Sequence, residues 1–246
     1  RSGKPFWAVA AENGIKSAAL EAPVAFPAES LPAGSVLLTG LSTPDLRGTQ
    51  ATYHFFTTDI YAESATETEF GGKVVGIEFG PDGRAGALVQ GPWNPVTRQR
   101  RSRLLKKRTE AEASGDSGAV ERLDRELDNL DKESSLTAPI AFQRLGPGRV
   151  AVELNGQRLE LSEGQWSDWA EVTFELNFLV RLRGFCRFIA TRIAEDVKIF
   201  MSPVEIHPEE PVLPISWPGD FAARLAHSIG LFKTRGWAAE TAALKE

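Results

Sequence analysis

The chain has 246 residues, 42% of them hydrophobic, and carries 28 Lys and Arg against 33 Asp and Glu, a net charge of −5. That is ample apolar content for a packed core, and the negative balance speaks against nucleic acid or an anionic membrane as the main partner. A single cysteine, Cys186, excludes an internal disulfide framework, and no apolar run approaches the roughly 18 residues that span a bilayer.

No charged-then-apolar signal segment opens the chain. The lone cysteine suits a reducing compartment, while cytoplasmic and exported locations both stay open. The chain starts at Arg1 and stops inside a predicted helix, Trp237 to Glu246. Both ends read as cut, so a piece of a longer protein is expected, with tag removal and processing as the alternative.

Pro5 to Gly14 reads as a short helix, with proline near its start and glycine in the stop position. Ile15 to Leu20 reads as a strand, Ala22 to Gly34 as a proline-rich loop, and Val36-Leu37-Leu38 as a buried strand. This alternation of helix and strand predicts an α/β layer. Beyond that strand and Thr39 comes Gly40-Leu41-Ser42-Thr43-Pro44-Asp45-Leu46-Arg47-Gly48-Thr49, a loop rich in hydroxyls with one carboxylate and one guanidinium. Loops at strand ends are where a rigid sheet positions binding groups.

From Thr52 the texture turns aromatic and β-prone, with Tyr53 to Thr58 as a strand. Lys73–Phe79 and Arg84–Val89 flank Gly80-Pro81-Asp82-Gly83 and predict a hairpin. Thr97 to Glu133 predicts two helices broken at Gly115–Gly118, a basic arm (Arg98 to Arg108) folded against an acidic one. With few apolar residues, this hairpin is expected to project from the core. Asn155-Gly156 predicts a two-residue type I′ turn that places Leu154 opposite Gln157, Val152 opposite Leu159 and Val150 opposite Leu161. The alternation from Val172 to Leu182 predicts one long half-buried strand, and Phe185–Ile193 and Val197–Met201 predict two more. Asp220 is placed to cap a helix through Ile229 that Gly230 ends.

Complete catalytic centres are missing from the pattern. His54, His207 and His227 are scattered without metal-ligand spacing. His54 is expected packed or hydrogen-bonded, His207 in a solvated loop with Glu205, Glu209 and Glu210, and His227 on a helix surface. Cys186 is expected to be buried and inert. No phosphate-cradling glycine motif appears. Residues 98–133 hold ten basic and nine acidic side chains, so a charge-paired hairpin is preferred over a nucleic-acid arm. Trp166-Ser167-Asp168-Trp169 is expected to staple a loop to the sheet. Asp45 and Arg47 admit two readings: a local salt bridge holding the loop, or an arginine that engages a phosphate or carboxylate.

The segments Pro5-Phe6-Trp7, Ala22-Pro23-Val24-Ala25-Phe26-Pro27, Gly40 to Thr49, Ser202-Pro203, Pro214-Ile215-Ser216-Trp217-Pro218 and Gly236-Trp237-Ala238-Ala239-Glu240-Thr241-Ala242-Ala243-Leu244 carry a family resemblance. In order and spacing they resemble the predicted phosphohydrolase/phosphomutase branch of the alkaline phosphatase superfamily, grouped with type I phosphodiesterases and nucleotide pyrophosphatases. The resemblance covers both ends and leaves the charged hairpin aside. It implies an α/β hydrolytic core with two divalent metals, usually zinc, and a threonine or serine nucleophile acting on a small-molecule phosphate ester. In such proteins the nucleophile and first metal aspartate lie upstream of the segment like residues 1–60, and the other Asp and His ligands downstream of the segment like Trp237–Leu244. No catalytic or metal residue is therefore transferred to this chain.

The expectation is a mixed α/β fold: residues 1–60 and 202–246 as parts of an α/β core, and 61–201 as an inserted β-rich subdomain carrying a helical hairpin at about 97–134. The chain reads as the non-catalytic middle of a metal-dependent phosphoesterase, inactive alone, with Asp45 and Arg47 as substrate-contact candidates. The alternatives are a binding module whose basic helix engages an acidic partner, and a structural domain that associates through the hairpin.

Overall fold

The computed structural model describes residues 3–59, 72–132, 135–177 and 179–234. The fold is mixed α/β. Helix α1 (Phe6–Glu12) precedes β1 (Ala18–Ala22), which runs parallel to β2 (Val36–Thr39), and β14 (Ser216–Trp217) joins the far side of β2 antiparallel. The two ends of the described chain thus meet in one three-stranded layer. Alternation along β2 serves both faces: Leu37 packs with Trp7 and Ala8 of α1, while Leu38 enters the main core with Ala222 of α4 (Phe221–Ile229). The layer has a helix on each side, as an α/β sheet requires. No helix links β1 to β2; the proline-rich stretch between them makes the crossover as a loop.

The β region forms three further sheets. β3 (His54–Thr57) lies between β12 (Val197–Met201) and β4 (Lys73–Gly76), with β11 (Phe188–Ile193) beyond β12. β5 (Arg84–Trp93), β6 (Ser135–Gly146), β7 (Arg149–Leu154) and β8 (Gln157–Ser162) form an antiparallel meander. β9 (Ala170–Glu175), β10 (Arg181–Cys186) and the short β13 (Glu205–Ile206) complete the set. Their inner faces share one hydrophobic cluster built around Phe56, Phe142, Phe174 and Phe188, which also takes in Leu38, Leu46 and Ile215 from the α/β layer. The hairpin at Asn155-Gly156 has the expected register, with positive φ at both turn residues (47° and 78°) as a type I′ turn demands.

Helices α2 (Pro95–Ala113) and α3 (Ser117–Lys132) form the charged hairpin. Asn94 starts α2 by accepting the Val96 N–H, with Pro95 at the first helical position. Leu104, Leu127 and Leu130, with Leu123 beside them, make a small core of their own, separate from the main one. Ion pairs cross between the arms, among them Arg100–Glu126 at 2.6 Å and Arg108–Asp124 at 2.5 Å.

Several strand expectations need correcting, and local side-chain bonds explain two of them. The first strand begins at Ala18 rather than Ile15. The turn at Gly80–Gly83 closes, with the Gly80 N–H donating to Arg84 O, but it does not join a hairpin. β4 pairs parallel with β3 and β5 pairs with β6, because Ala85 and Val89 belong to the Phe142 face while Val74 belongs to that of Tyr53. The long strand from Val172 to Leu182 is two strands. Asn177 breaks it by accepting the Leu179 and Val180 N–H groups on its own Oδ1, an Asx turn. The run from Phe185 to Ile193 breaks at Arg187, whose N–H and carbonyl turn to Ser202. Asp220 does not cap α4; it pairs with Arg224, and the buried Ser216 hydroxyl accepts the Ala222 N–H instead. The expected helix from Trp237 to Glu246, and Phe178 within the alternating run, lie outside the described residues.

Candidate functional site

Ligands of parallel sheets gather beyond the carboxyl ends of the strands. In the α/β layer that position belongs to two adjacent loops, one after β1 and one after β2. They are stitched together: Gly40 N–H donates to Ala22 O at 3.0 Å, and Val24 N–H to Leu41 O at 2.8 Å. Gly40 is required there, since a Cβ would lie 2.2 Å from the Glu21 carbonyl oxygen. Glu21, Val24 and Ser42 all hold positive φ, at 50°, 57° and 79°. For β-branched Val24 this is a costly conformation, on the order of 1–3 kcal/mol, of the kind that accumulates at functional loops.

The loop from Gly40 to Thr49 is held from within. The Thr43 hydroxyl donates to Gly40 O at 2.7 Å. Asp45 is buried, and its two carboxylate oxygens accept the Thr49 N–H (2.7 Å), the Thr49 hydroxyl and the Thr52 N–H (3.0 Å). The Leu46 N–H donates to Val204 O, and its side chain enters the main core. The loop is therefore fixed by the carboxylate of Asp45 working through Thr49 and Thr52, where a local salt bridge to Arg47 was the simpler expectation. Asp45 frames the loop and sets the position from which Arg47 leaves it.

Arg47 extends toward β3, with its Nε and Nη1 shielded from solvent. Its charge reaches His54, which is fully buried; burial foremost, then Arg47 and Lys73, hold the His54 pKa down at about 3. Lys73 is the register partner of His54 across the β3–β4 ladder. His54 Nε2 accepts the Gln90 N–H at 3.0 Å, so the neutral ring carries its proton on Nδ1, a buried donor with no acceptor among the described residues. His54 is thus packed and hydrogen-bonded, as expected. Two cations beside a neutral imidazole make this end of the loop hospitable to an anionic group.

A concavity of about 520 Å³ lies at the carboxyl ends of β3 and β4, lined by Thr57, Thr58, Gly76, Ile77, Glu78, Phe79 and Arg144. Its polar groups largely serve the protein itself. Arg144 donates to the carbonyls of Ala194 and Glu195 and stacks over Phe79 at 4.7 Å, and the Thr58 hydroxyl accepts the Val197 N–H.

His207 is not in a solvated loop, as the prolines around it suggested. It is buried, its Nδ1 accepts the Glu209 N–H at 3.3 Å, and its ring meets Phe185 edge-on. Burial first, then Arg183, lowers its pKa, against the opposing pull of Glu171, Glu209 and Glu210. Arg183 binds Glu171 at 2.6 Å and Glu210 at 2.8 Å, and exposed His227 reaches Glu209 at 2.8 Å. Trp166 and Trp169 staple their loop as expected: each stacks on the Arg187 guanidinium, at 4.3 and 4.9 Å. Cys186 is buried with its thiol pushed well up by burial and by Glu205, so it is no nucleophile.

The two divalent metals that the family resemblance implies would need clustered carboxylate and imidazole ligands. Among the described residues no three His, Cys, Asp or Glu side chains are gathered as a metal site would need. His54 faces two cations, and His207 Nδ1 is already bonded to a backbone amide. The donors among the described residues do not fit such a centre. No family model matches the chain, and neither a curated protein nor a solved structure does.

Proposed function

We propose that this chain is the non-catalytic middle section of a metal-dependent phosphohydrolase or phosphodiesterase, similar to nucleotide pyrophosphatases, that hydrolyses small phosphate esters in its full-length form. The observation that carries this reading is the Gly40–Thr49 loop: a rigid, self-bonded turn at the carboxyl end of a parallel strand, whose Arg47 acts on buried His54 from beside it, as Lys73 also does. Cationic side chains beside low-dielectric walls suit a phosphate ester. The meeting of β1, β2 and β14 in one layer supports a shared α/β core for the two ends. Asp45 acts by positioning; its carboxylate stays with the loop.

Two measurements test the reading. The purified chain, given zinc or manganese, should not turn over p-nitrophenyl phosphate or bis-p-nitrophenyl phosphate; turnover would overturn the non-catalytic assignment. In the full-length parent, Arg47→Ala should lower kcat/KM by about tenfold or more, the scale of one lost charge-assisted contact. An unchanged kcat/KM would remove Arg47 from the site.

A further inference from the structure

The charged hairpin plays no part in that reading. Helix α2 turns Thr97, Arg101, Leu104 and Arg108 inward, and these are among its less exposed positions. Arg100 and Arg108 spend their charge on the carboxylates of Glu126, Asp124 and Glu112. Arg98, Arg103, Lys106 and Lys107 are different. All four are exposed, and among the described residues none has a carboxylate within ion-pair distance. They lie within a span of about 14 Å along one helix, at 1.5 Å per residue. The protein as a whole carries −5, so this concentration of unneutralised cations opposes its own mean field. The arm is also built to be rigid apart from the main body, with its own leucine core and a capped, proline-started helix.

We propose that the outward face of α2 is a docking surface for a short acidic segment of a partner protein. Charge complementarity sets the class of partner, and the layout of α2 sets its length. Past Arg108 the helix turns acidic, with exposed Glu110 and Glu112, and Asp116 follows in the turn. A nucleic-acid duplex presents phosphates about every 1.7 Å without interruption and would run its charge over these carboxylates. A stretch of a few Asp or Glu side chains covers the basic span and stops before the acidic tip. Arg103 and Lys106 lie in the middle of the outward arc with Arg98 and Lys107 at its two edges, and contacts of this kind act mainly through capture rate and salt-dependent affinity.

The test uses the whole chain and fluorescence anisotropy of a labelled ten-residue poly-glutamate peptide. Binding is expected at about 0.05 M salt and should weaken steeply toward 0.2 M as the charges are screened. The double variant Arg103→Glu/Lys107→Glu should bind at least about tenfold more weakly, since two attractive contacts become repulsive. Both side chains are exposed and unpaired, so circular dichroism should be unchanged. The control Arg149→Glu/Arg181→Glu makes the same change in net charge on the sheets and should retain binding to within about threefold. Absence of binding at low salt overturns the proposal, as does an equal loss in the control. Tighter binding of a duplex DNA than of the peptide overturns it in favour of nucleic acid.

Discussion

His54 makes acid destabilisation of this fold a quantitative matter. In the unfolded chain its imidazole takes up a proton near pH 6.5; in the folded protein burial, Arg47 and Lys73 postpone that until about pH 3. Over the interval the unfolded state binds more protons than the native one, so stability falls as the pH falls. The contribution is complete above pH 6.5 and is lost progressively down to about 3. Between pH 7.5 and 4.5 the loss is about 2.7 kcal/mol, at 1.36 kcal/mol for each pKa unit. At an m-value of about 2.5 kcal/mol/M in urea this moves the unfolding midpoint by about 1 M. Carboxylates titrate mainly below this window, and His207, whose pKa is also lowered, adds loss of the same sign. The comparison that isolates His54 is therefore with His54→Gln, which keeps an acceptor for the Gln90 N–H and removes the titrating group. Urea unfolding at several pH values should show the variant less stable at pH 7.5, by about 1–3 kcal/mol for the lost ring, yet with a pH slope shallower by about 2.7 kcal/mol across the window. Equal slopes in the two proteins would refute the burial of a neutral His54 beside Arg47 and Lys73.

Asp45→Ala should lower stability by about 3–5 kcal/mol in urea unfolding, because it strands the Thr49 and Thr52 N–H groups in a partly buried loop; Asp45→Asn, which keeps one oxygen, should lose less. Phe142→Ala should lose about 3–5 kcal/mol, since the ring is fully buried and packs on Phe56 with centroids 5.0 Å apart. Asn155→Val forces a β-branched residue to a φ of 47° and should lower the melting temperature at a cost of about 1–2 kcal/mol. Leu127→Ala should speed amide exchange throughout α2 and α3 while leaving exchange in β6 and β7 unchanged, because Leu127 belongs to the hairpin's private core.

Where local chemistry decided local structure, the sequence was readable. Asn155-Gly156 permits one turn type, that turn permits one register, and the apolar pairs agree with it. The helical hairpin was equally legible, since leucines at helical spacing and two complementary arms point the same way. The expectations that failed share a cause. Asn177 and Ser202 divert backbone N–H groups to side chains, which cuts runs whose period-2 pattern continues through the break. Pattern alone cannot distinguish a long strand from a hairpin whose arms keep the same phase. Ser216 supplanted Asp220 as the cap of α4 because the polypeptide bends back at Trp217–Gly219, a contact six residues from its acceptor that helix-start rules do not reach.

The candidate site divides along the same line. Asp45 and Arg47 stood out by residue type, and they do share one loop, but the reason for the loop's rigidity lay in Thr49 and Thr52, which looked like ordinary turn residues. The partners of Arg47 in setting the local field were beyond sequence reasoning. His54 and Lys73 are 19 positions apart and meet only because β3 and β4 run parallel, where a local hairpin between β4 and β5 was the simpler expectation. That one topological difference decides the electrostatics. Had β4 paired with β5, Lys73 would have been carried away from His54. With β4 on β3, buried His54 lies under the charge of Lys73 as well as that of Arg47, and its ring is held neutral by both together with its burial.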